Sequence, residues 1–182
     1  MFIYESSRER EHLQSKKLTQ IEQIFRSNPE LGEVGTMEQY SQYLDTIFPD
    51  SKVKDIVYHS SPNKIEKFRD RHFGTYFSYS PIVGVYGGFI HAALLNIKNP
   101  LILPDNKEEW ANYDKEYRNY SNYTTDAEGY HLYKYDGSVE ASSVTDDGKQ
   151  VRARNSEQIH ILGSKDDIEG FKNFTLDLES SI

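Results

Sequence analysis

The chain has 182 residues, of which 36% are hydrophobic and 27% charged, and it carries a net charge of −8 and no cysteine. This length and composition are typical of one globular domain with an additional lobe, and the acidic balance excludes non-specific nucleic-acid binding, which needs a basic stripe. The absence of cysteine excludes disulfides, thiolate nucleophiles and cysteine-ligated zinc.

Two amphipathic helices are predicted in the first part of the chain, over residues 6–27 and 37–48, because their apolar residues recur at helical intervals. Thr36 and Gln39 have the spacing of a capping box at the start of the second helix. An Asn-Pro pair and two glycines separate the helices. We therefore expect a helical lobe over residues 1–52, which is either a packing cap or a surface that binds a substrate or partner.

Short strands replace the helical pattern in the middle of the chain, where β-branched and aromatic residues lie between turn residues. In chain order the predicted strands are 53–61, 72–80, 89–103, 135–144, 149–155 and 157–163, and Asn99-Pro100 is expected to stop the third of them. A short helix is predicted over 81–88, a helix and loop over 104–128, and a polar tail over 164–182, which is either a short helix or an edge segment. Asp147 and Gly148 form a dipeptide typical of a hairpin turn. Hairpins and irregular loops connect the strands, so the predicted fold class is α+β and not a doubly wound α/β sheet.

Motifs of the commonest cofactor and nucleophile sites are missing from the sequence. No Gly-x-Gly-x-x-Gly follows a strand, and the chain has neither a Walker A sequence nor a Gly-x-Ser-x-Gly elbow. The six histidines are scattered and lack the His-x-x-x-His spacing of a metal site. We therefore expect no metal cofactor.

A set of short motifs occurs in a fixed order in the strand-rich part of the chain. The motifs are Val57–Ser61 (VYHSS), Gly74–Ser78 (GTYFS), Tyr86, Asn99–Leu101 (NPL), Tyr135–Gly137 (YDG) and Gln150–Ile159. This set resembles the ADP-ribosyltransferase fold of the His-Tyr-Glu type, which includes diphtheria toxin and the poly(ADP-ribose) polymerases. It is most similar to the small domains of this type in phage and mobile-element polyvalent proteins. The resemblance implies a split β-sheet core over residues 53–163, preceded by the helical lobe, with NAD⁺ as co-substrate.

The resemblance assigns binding roles to residues of the first two motifs. His59 would donate a hydrogen bond to the adenosine-side ribose, and the backbone of Ser60, which replaces the usual glycine, would pair with the nicotinamide amide. Tyr76 and Tyr86 would stack on the two faces of the nicotinamide ring, where a cation–π contribution adds to binding. Phe77 would form the wall of the site.

Basic residues after the first motif are candidates to neutralise the diphosphate of NAD⁺. They are Lys64, Lys67, Arg69 and Arg71, and Arg69 is the one assigned to cofactor binding. The alternative for each is an ordinary solvated loop residue. Gly74, which opens the second motif, is also assigned to the cofactor site.

The third signature position departs from the family pattern. The family has a glutamate eight residues before the Gln-Ile pair, and counting back from Gln158 gives Gln150. Together with His59 and Tyr76, Gln150 is therefore assigned to catalysis. It keeps the hydrogen-bonding reach of glutamate but lacks the charge that would stabilise a developing cation. Glu140 and Glu157 are alternative sources of a carboxylate.

These residues predict an NAD⁺-dependent mono-ADP-ribosyltransferase with a protein or nucleic-acid acceptor, such as a toxin or phage effector checked by an antitoxin or regulatory partner. The alternatives are a non-catalytic relative that binds NAD⁺ or ADP-ribose or is structural, and an NAD⁺ glycohydrolase. The acidic segment 104–128 is either an acceptor-recognition loop or plain surface. Because we find neither a signal-peptide pattern nor a long apolar run, we expect no membrane partner, and a protein that is cytoplasmic or delivered into a host cell without a signal peptide.

Overall fold

The computed structural model describes residues 7–71, 74–81, 87–103, 135–140 and 150–181. The chain divides into two compact units. The first consists of Met1–Pro49 together with Ile161–Ile182, and the second is Asp50–His160. The two ends of the chain therefore belong to one unit, and the segment between them forms the other. No helix in the described ranges is long and apolar enough to cross a membrane.

Four α-helices build the first unit. They are α1 (Ser7–Ser27), α2 (Glu30–Val34), α3 (Met37–Thr46) and α4 (Lys165–Ser180). The capping box predicted for α3 is present, since the Thr36 hydroxyl accepts from the Gln39 N–H and the Gln39 side chain accepts from the Thr36 N–H. The prediction was wrong at the end of this helix, which stops two residues earlier, and it missed α2, which begins directly after Pro29.

A buried aromatic cluster forms the core of the first unit. The Tyr40 ring lies 5.1 Å from the Phe171 ring of α4, and the Tyr43 ring lies 5.6 Å from it. The Tyr40 hydroxyl donates a 2.6 Å hydrogen bond to the buried carboxylate of Asp167, which also accepts from the Gly163 N–H at 2.7 Å. Burial, reinforced by Asp167, raises the pKa of Tyr40. The segment predicted as a polar tail is therefore a helix that packs into this core.

Seven strands form an open mixed sheet. They are β1 (Val57–Ser61), β2 (Thr75–Ser78), β3 (Phe89–Leu95), β4 (Pro100–Leu103), β5 (Gly137–Glu140), β6 (Gln150–Ala153) and β7 (Ile159–Ile161). Their order in the sheet is β4-β5-β6-β2-β1-β3-β7. The pairs β1–β2, β1–β3, β2–β6 and β5–β6 are antiparallel, and β4–β5 is parallel. The predicted α+β class is confirmed.

The long strand predicted over 89–103 is two strands that meet at a corner. The carboxylate of Asp136 accepts the backbone N–H groups of Lys98 (2.6 Å) and Asn99 (2.9 Å), which turns the chain away from β3. Pro100 then begins β4, at the edge of the sheet, where the first residue of a strand needs no donor. The predicted stop at Asn99-Pro100 falls at this corner, but the separate strand β4 was not predicted, because the turn depends on a carboxylate distant in sequence.

Two other predicted elements are only partly within the described ranges. The antiparallel pairing of β5 with β6 agrees with the predicted hairpin, but Asp147 and Gly148 lie outside the described residues. Residues 82–86 of the predicted short helix lie outside them as well, and Gly87, at φ 133°, is not helical. The segment 104–128 also falls outside the described ranges.

Candidate functional site

An open cleft lies where β1 and β2 separate. β1 pairs with β3 along five residues and β2 pairs with β6 along four, but β1 and β2 pair only at Tyr58 and Ser78. The cleft has a volume of about 520 Å³, within the range of about 300–1,000 Å³ that is typical of small-molecule sites. Its lining residues are Tyr58, His59, Ser60, Ser61, Pro62, Arg71, Gly74, Thr75, Tyr76, Phe77, Ser78 and Gln150.

His59 closes the gap that the short ladder leaves between the two strands. Its Nδ1 lies 2.8 Å from the carbonyl oxygen of Tyr76. Because a carbonyl oxygen only accepts, Nδ1 must carry the proton, and in a neutral ring Nε2 is then an acceptor. The ring packs edge-on against Phe68 at 5.1 Å and contacts Phe77 at 5.6 Å. Both ring position and tautomer of His59 are therefore set by β2 and by the loop after β1.

Tyr76 and Gln150 share the exposed face of the sheet. In the register of β2 with β6, Tyr76 lies opposite Arg152 and Ser78 lies opposite Gln150, and directly opposed residues project to the same face. Tyr76 is 47% exposed. The Arg152 guanidinium carbon lies 5.7 Å from the centroid of the Tyr76 ring. The pairing thus presents an open aromatic ring beside an amide side chain and a cation.

His59 lies on the opposite face from Tyr76. The pairing of Tyr58 with Ser78 puts His59 on the same side as Phe77, in agreement with their ring contact. Phe77 is buried, so this side is the inner one. The cleft therefore has two different walls: one with an anchored imidazole over aromatic rings, and one with an exposed tyrosine and an amide.

Gly74 shapes the backbone at the start of β2. Its φ is 73°, in the left-handed region where only glycine is unstrained. A Cβ at this position would overlap the carbonyl oxygen of Ala153 on β6. Gly74 is therefore needed for the close approach of β2 to β6, and it reaches the cleft through its backbone.

Arg71, and not Arg69, is the cation of the cleft. Arg71 is among the lining residues and Arg69 is not. Its carbonyl accepts the Gly74 N–H at 3.0 Å. The neighbouring Asp70 accepts the Ser156 N–H at 2.8 Å, and this hydrogen bond lowers the pKa of Asp70.

The remaining predicted residues either do not line the cleft or lie outside the described residues. Lys64 forms an ion pair with Glu66 at 2.8 Å, and neither Lys64 nor Lys67 lines the cleft. Tyr86 lies outside the described residues. Glu157 is in the 3-10 helix Ser156–Gln158 and is not a lining residue. None of the described lining residues is acidic.

The motifs Asn-Pro-Leu, Tyr-Asp-Gly and Gln-Ile meet away from the cleft, in a network of backbone hydrogen bonds. Besides the two bonds that Asp136 accepts, the Gln158 side-chain amide donates to the carbonyls of Asn96 (2.8 Å) and Asp136 (2.7 Å). A Cβ on Gly137 would overlap the carbonyl oxygen of Arg152. These residues fix the corner between β3 and β4 beside β5. The three motifs therefore hold the backbone in place and do not line the cleft.

His91 was not predicted as a site residue. This residue lies opposite His59 in the pairing of β1 with β3 and is 6% exposed. Its Nε2 accepts the Ile65 N–H at 2.8 Å, and its Nδ1 donates to the His59 carbonyl at 3.2 Å. Burial lowers its pKa. In the sequence, only the position of His91 within the strand FIHAALL indicated a special role, because a polar side chain at an inward position of a strand needs a hydrogen-bond partner.

No group of three His, Asp or Glu side chains that could hold a metal ion occurs within the described part of the chain. Comparison of the chain with family models, with curated proteins and with solved structures found no match.

Proposed function

We propose that the cleft between β1 and β2 binds NAD⁺ and that the protein is a mono-ADP-ribosyltransferase with an ADP-ribosyltransferase-like split sheet. The proposal rests on the meeting of residues from three separate sequence motifs at one cleft. Three adjacent strands carry the signature residues His59, Tyr76 and Gln150, and all three residues line one cleft. The gap between β1 and β2 is the feature expected of a split sheet.

The lining residues suit a positively charged ring joined to an anionic diphosphate. The exposed ring of Tyr76 offers a face on which the nicotinamide cation would stack. Arg71 is a cation at the cleft, where no carboxylate is among the described lining residues, and it would neutralise a diphosphate. His59 would act differently from its predicted donor role, because its Nδ1 proton is already donated to Tyr76 and a neutral Nε2 would accept from a ribose hydroxyl.

The transfer breaks the bond between nicotinamide and ribose, and nicotinamide leaves as a neutral base. The acceptor nucleophile forms the new bond at the same ribose carbon and loses its proton to solvent. Gln150 would hold the 2′-hydroxyl through its amide without supplying a negative charge to the developing sugar cation. We therefore propose slow, single-unit transfer to a protein or nucleic-acid acceptor, in a toxin or phage effector that an antitoxin or regulatory partner holds in check.

Two alternative functions follow from the same site. The absence of a carboxylate among the described lining residues favours a protein that binds NAD⁺ or ADP-ribose without turnover. With water as the acceptor, the same site would instead release free ADP-ribose as a glycohydrolase. The fate of the nicotinamide and of the ADP-ribose distinguishes the three functions.

The test uses NAD⁺ labelled in the adenosine half, incubated with the full chain and a cell lysate. His59→Ala and Tyr76→Ala are compared with Phe89→Ala, a matched control because Phe89 is also about half exposed (46%) and does not line the cleft. We expect label on a macromolecule with the wild type and Phe89→Ala, and a loss of at least about tenfold in the two cleft variants. Nicotinamide release without macromolecular label would favour hydrolysis. Binding without turnover would reject the enzyme, and equal labelling by all variants would reject the site.

A further inference from the structure

His91 lies opposite His59 on the neighbouring strand β3 and is held by two hydrogen bonds. On one side its Nδ1–H donates to the carbonyl of His59, and on the other its Nε2 accepts the N–H of Ile65 in the loop that follows β1. One nitrogen must be a donor and the other an acceptor, so both hydrogen bonds exist together only when the ring is neutral and protonated on Nδ1. Of the three protonation states of the His91 ring, only this one is compatible with both hydrogen bonds.

The two hydrogen bonds fix the parts of the cleft that surround His59. The bond to the carbonyl holds β1 at His59 itself. The bond to Ile65 holds the loop that carries Phe68, whose ring is 5% exposed and contacts the rings of His59, Phe77 and His91. The same loop leads to Arg71. A change at His91 is thus transmitted to one wall of the cleft and to its cation.

Protonation of His91 would put two donors against each other, because Nε2 would gain a hydrogen that faces the Ile65 N–H. Burial opposes this protonation and lowers the pKa of His91. The hydrogen bond to the His59 carbonyl works in the other direction and favours the imidazolium. Of the titratable groups around His91, the His59 ring on β1 and Lys64 on the loop disfavour the imidazolium, whereas Glu66 on the loop favours it. The neutral form therefore persists at neutral pH and is lost as the pH falls through the lowered pKa.

We propose that His91 is a positioning residue, which in its neutral form holds His59 and the Ile65–Arg71 loop in the arrangement that binds NAD⁺ and which releases them when it is protonated. The proposal rests on the proposed function for its ligand. The loop arrangement itself does not depend on that function.

The experiment measures two quantities on the full chain between pH 7.5 and pH 5. One is the hydrogen-exchange protection factor of the Ile65 amide without ligand, and the other is the Kd for NAD⁺ by calorimetry. His91→Gln keeps a donor and an acceptor but does not titrate, and His91→Leu removes both. His12→Gln is the matched control, because His12 is exposed on α1.

We expect His91→Leu to lower the Ile65 protection factor and to weaken NAD⁺ binding by about tenfold at pH 7.5, as the loss of two hydrogen bonds implies. The wild type and His12→Gln should lose protection and affinity as the pH falls, and His91→Gln should retain both. Acid loss in His91→Gln equal to that of the wild type would overturn the proposal, as would unchanged Ile65 protection in His91→Leu. If the wild type binds no NAD⁺, the proposed function fails, and Ile65 protection still decides the role of His91.

Discussion

At the scale of single residues, the site is built from side chains whose roles are set by backbone atoms. The protonated nitrogen of His59 is fixed by the Tyr76 carbonyl, and that of His91 by the His59 carbonyl. Gly74 is required by a positive φ and by the nearby Ala153 carbonyl. The residue types of this site were visible in the sequence, but which atom donates and which accepts was not.

Gln150→Glu tests the signature position that departs from the family pattern. If Gln150 faces the nicotinamide ribose, a carboxylate there would stabilise the developing sugar cation, and we expect nicotinamide release to rise by at least about tenfold. The measurement is the initial rate of nicotinamide release from NAD⁺. Gln150→Ala is the control and should not be faster than the wild type. An unchanged rate in Gln150→Glu would remove Gln150 from the reaction.

At the scale of elements, strand pairing makes the cleft and a distant hydrogen-bond network supports it. The ladder between β1 and β2 is short, while both strands pair fully on their other sides. The corner between β3 and β4 is held by Asp136 and Gln158. The motifs Asn-Pro-Leu, Tyr-Asp-Gly and Gln-Ile therefore maintain the sheet. Residues of the VYHSS and GTYFS motifs line the cleft together with Gln150.

Asp136→Ala removes the acceptor for two backbone N–H groups at this corner. Because these bonds are charge-assisted and partly exposed to solvent, we expect the free energy of unfolding to fall by about 1–3 kcal/mol. The measurement is urea denaturation. Asp136→Asn, which keeps one acceptor oxygen, should lose less. A stability equal to that of the wild type in Asp136→Ala would mean that solvent replaces the carboxylate without cost.

At the scale of the whole molecule, the two ends of the chain combine in the helical unit. Tyr40 and Asp167 are hydrogen-bonded across 127 residues of sequence, and Phe171 of α4 lies among the aromatic rings of α3. Long-range contacts of this kind make the C-terminal helix part of the core of the first unit.

Phe171→Ala tests the membership of α4 in this unit. Phe171 is fully buried, so the cavity and the lost apolar contacts should lower the free energy of unfolding by about 3–5 kcal/mol. The measurement is the loss of helical circular dichroism in urea. Leu176→Ala on the same helix is the control, because Leu176 is 51% exposed and should change stability by no more than about 0.5 kcal/mol. A small effect of Phe171→Ala would place the helix outside the core.

The sequence by itself determined the features that depend on neighbours a few residues apart. These are α1, the capping box at Thr36, the short strands and the α+β class. Periodicity, capping and backbone conformation are local, so they can be read from the chain. The same local reasoning did not predict β4 as a separate strand, and it left residues 164–182 open between a short helix and an edge segment. A distant carboxylate and a distant aromatic cluster decide these two structures.

Only the tertiary structure decided how the strands pair and which residues line the cleft. The register of β2 with β1 and β6 puts Tyr76 and Gln150 on one face and His59 on the other, and the register of β1 with β3 brings His91 opposite His59. The fold of the loop selects Arg71 in place of Arg69. A shift of one residue in register would exchange the two faces of a strand, and no local pattern fixes that shift, because the energy that does so comes from contacts between segments far apart in the chain.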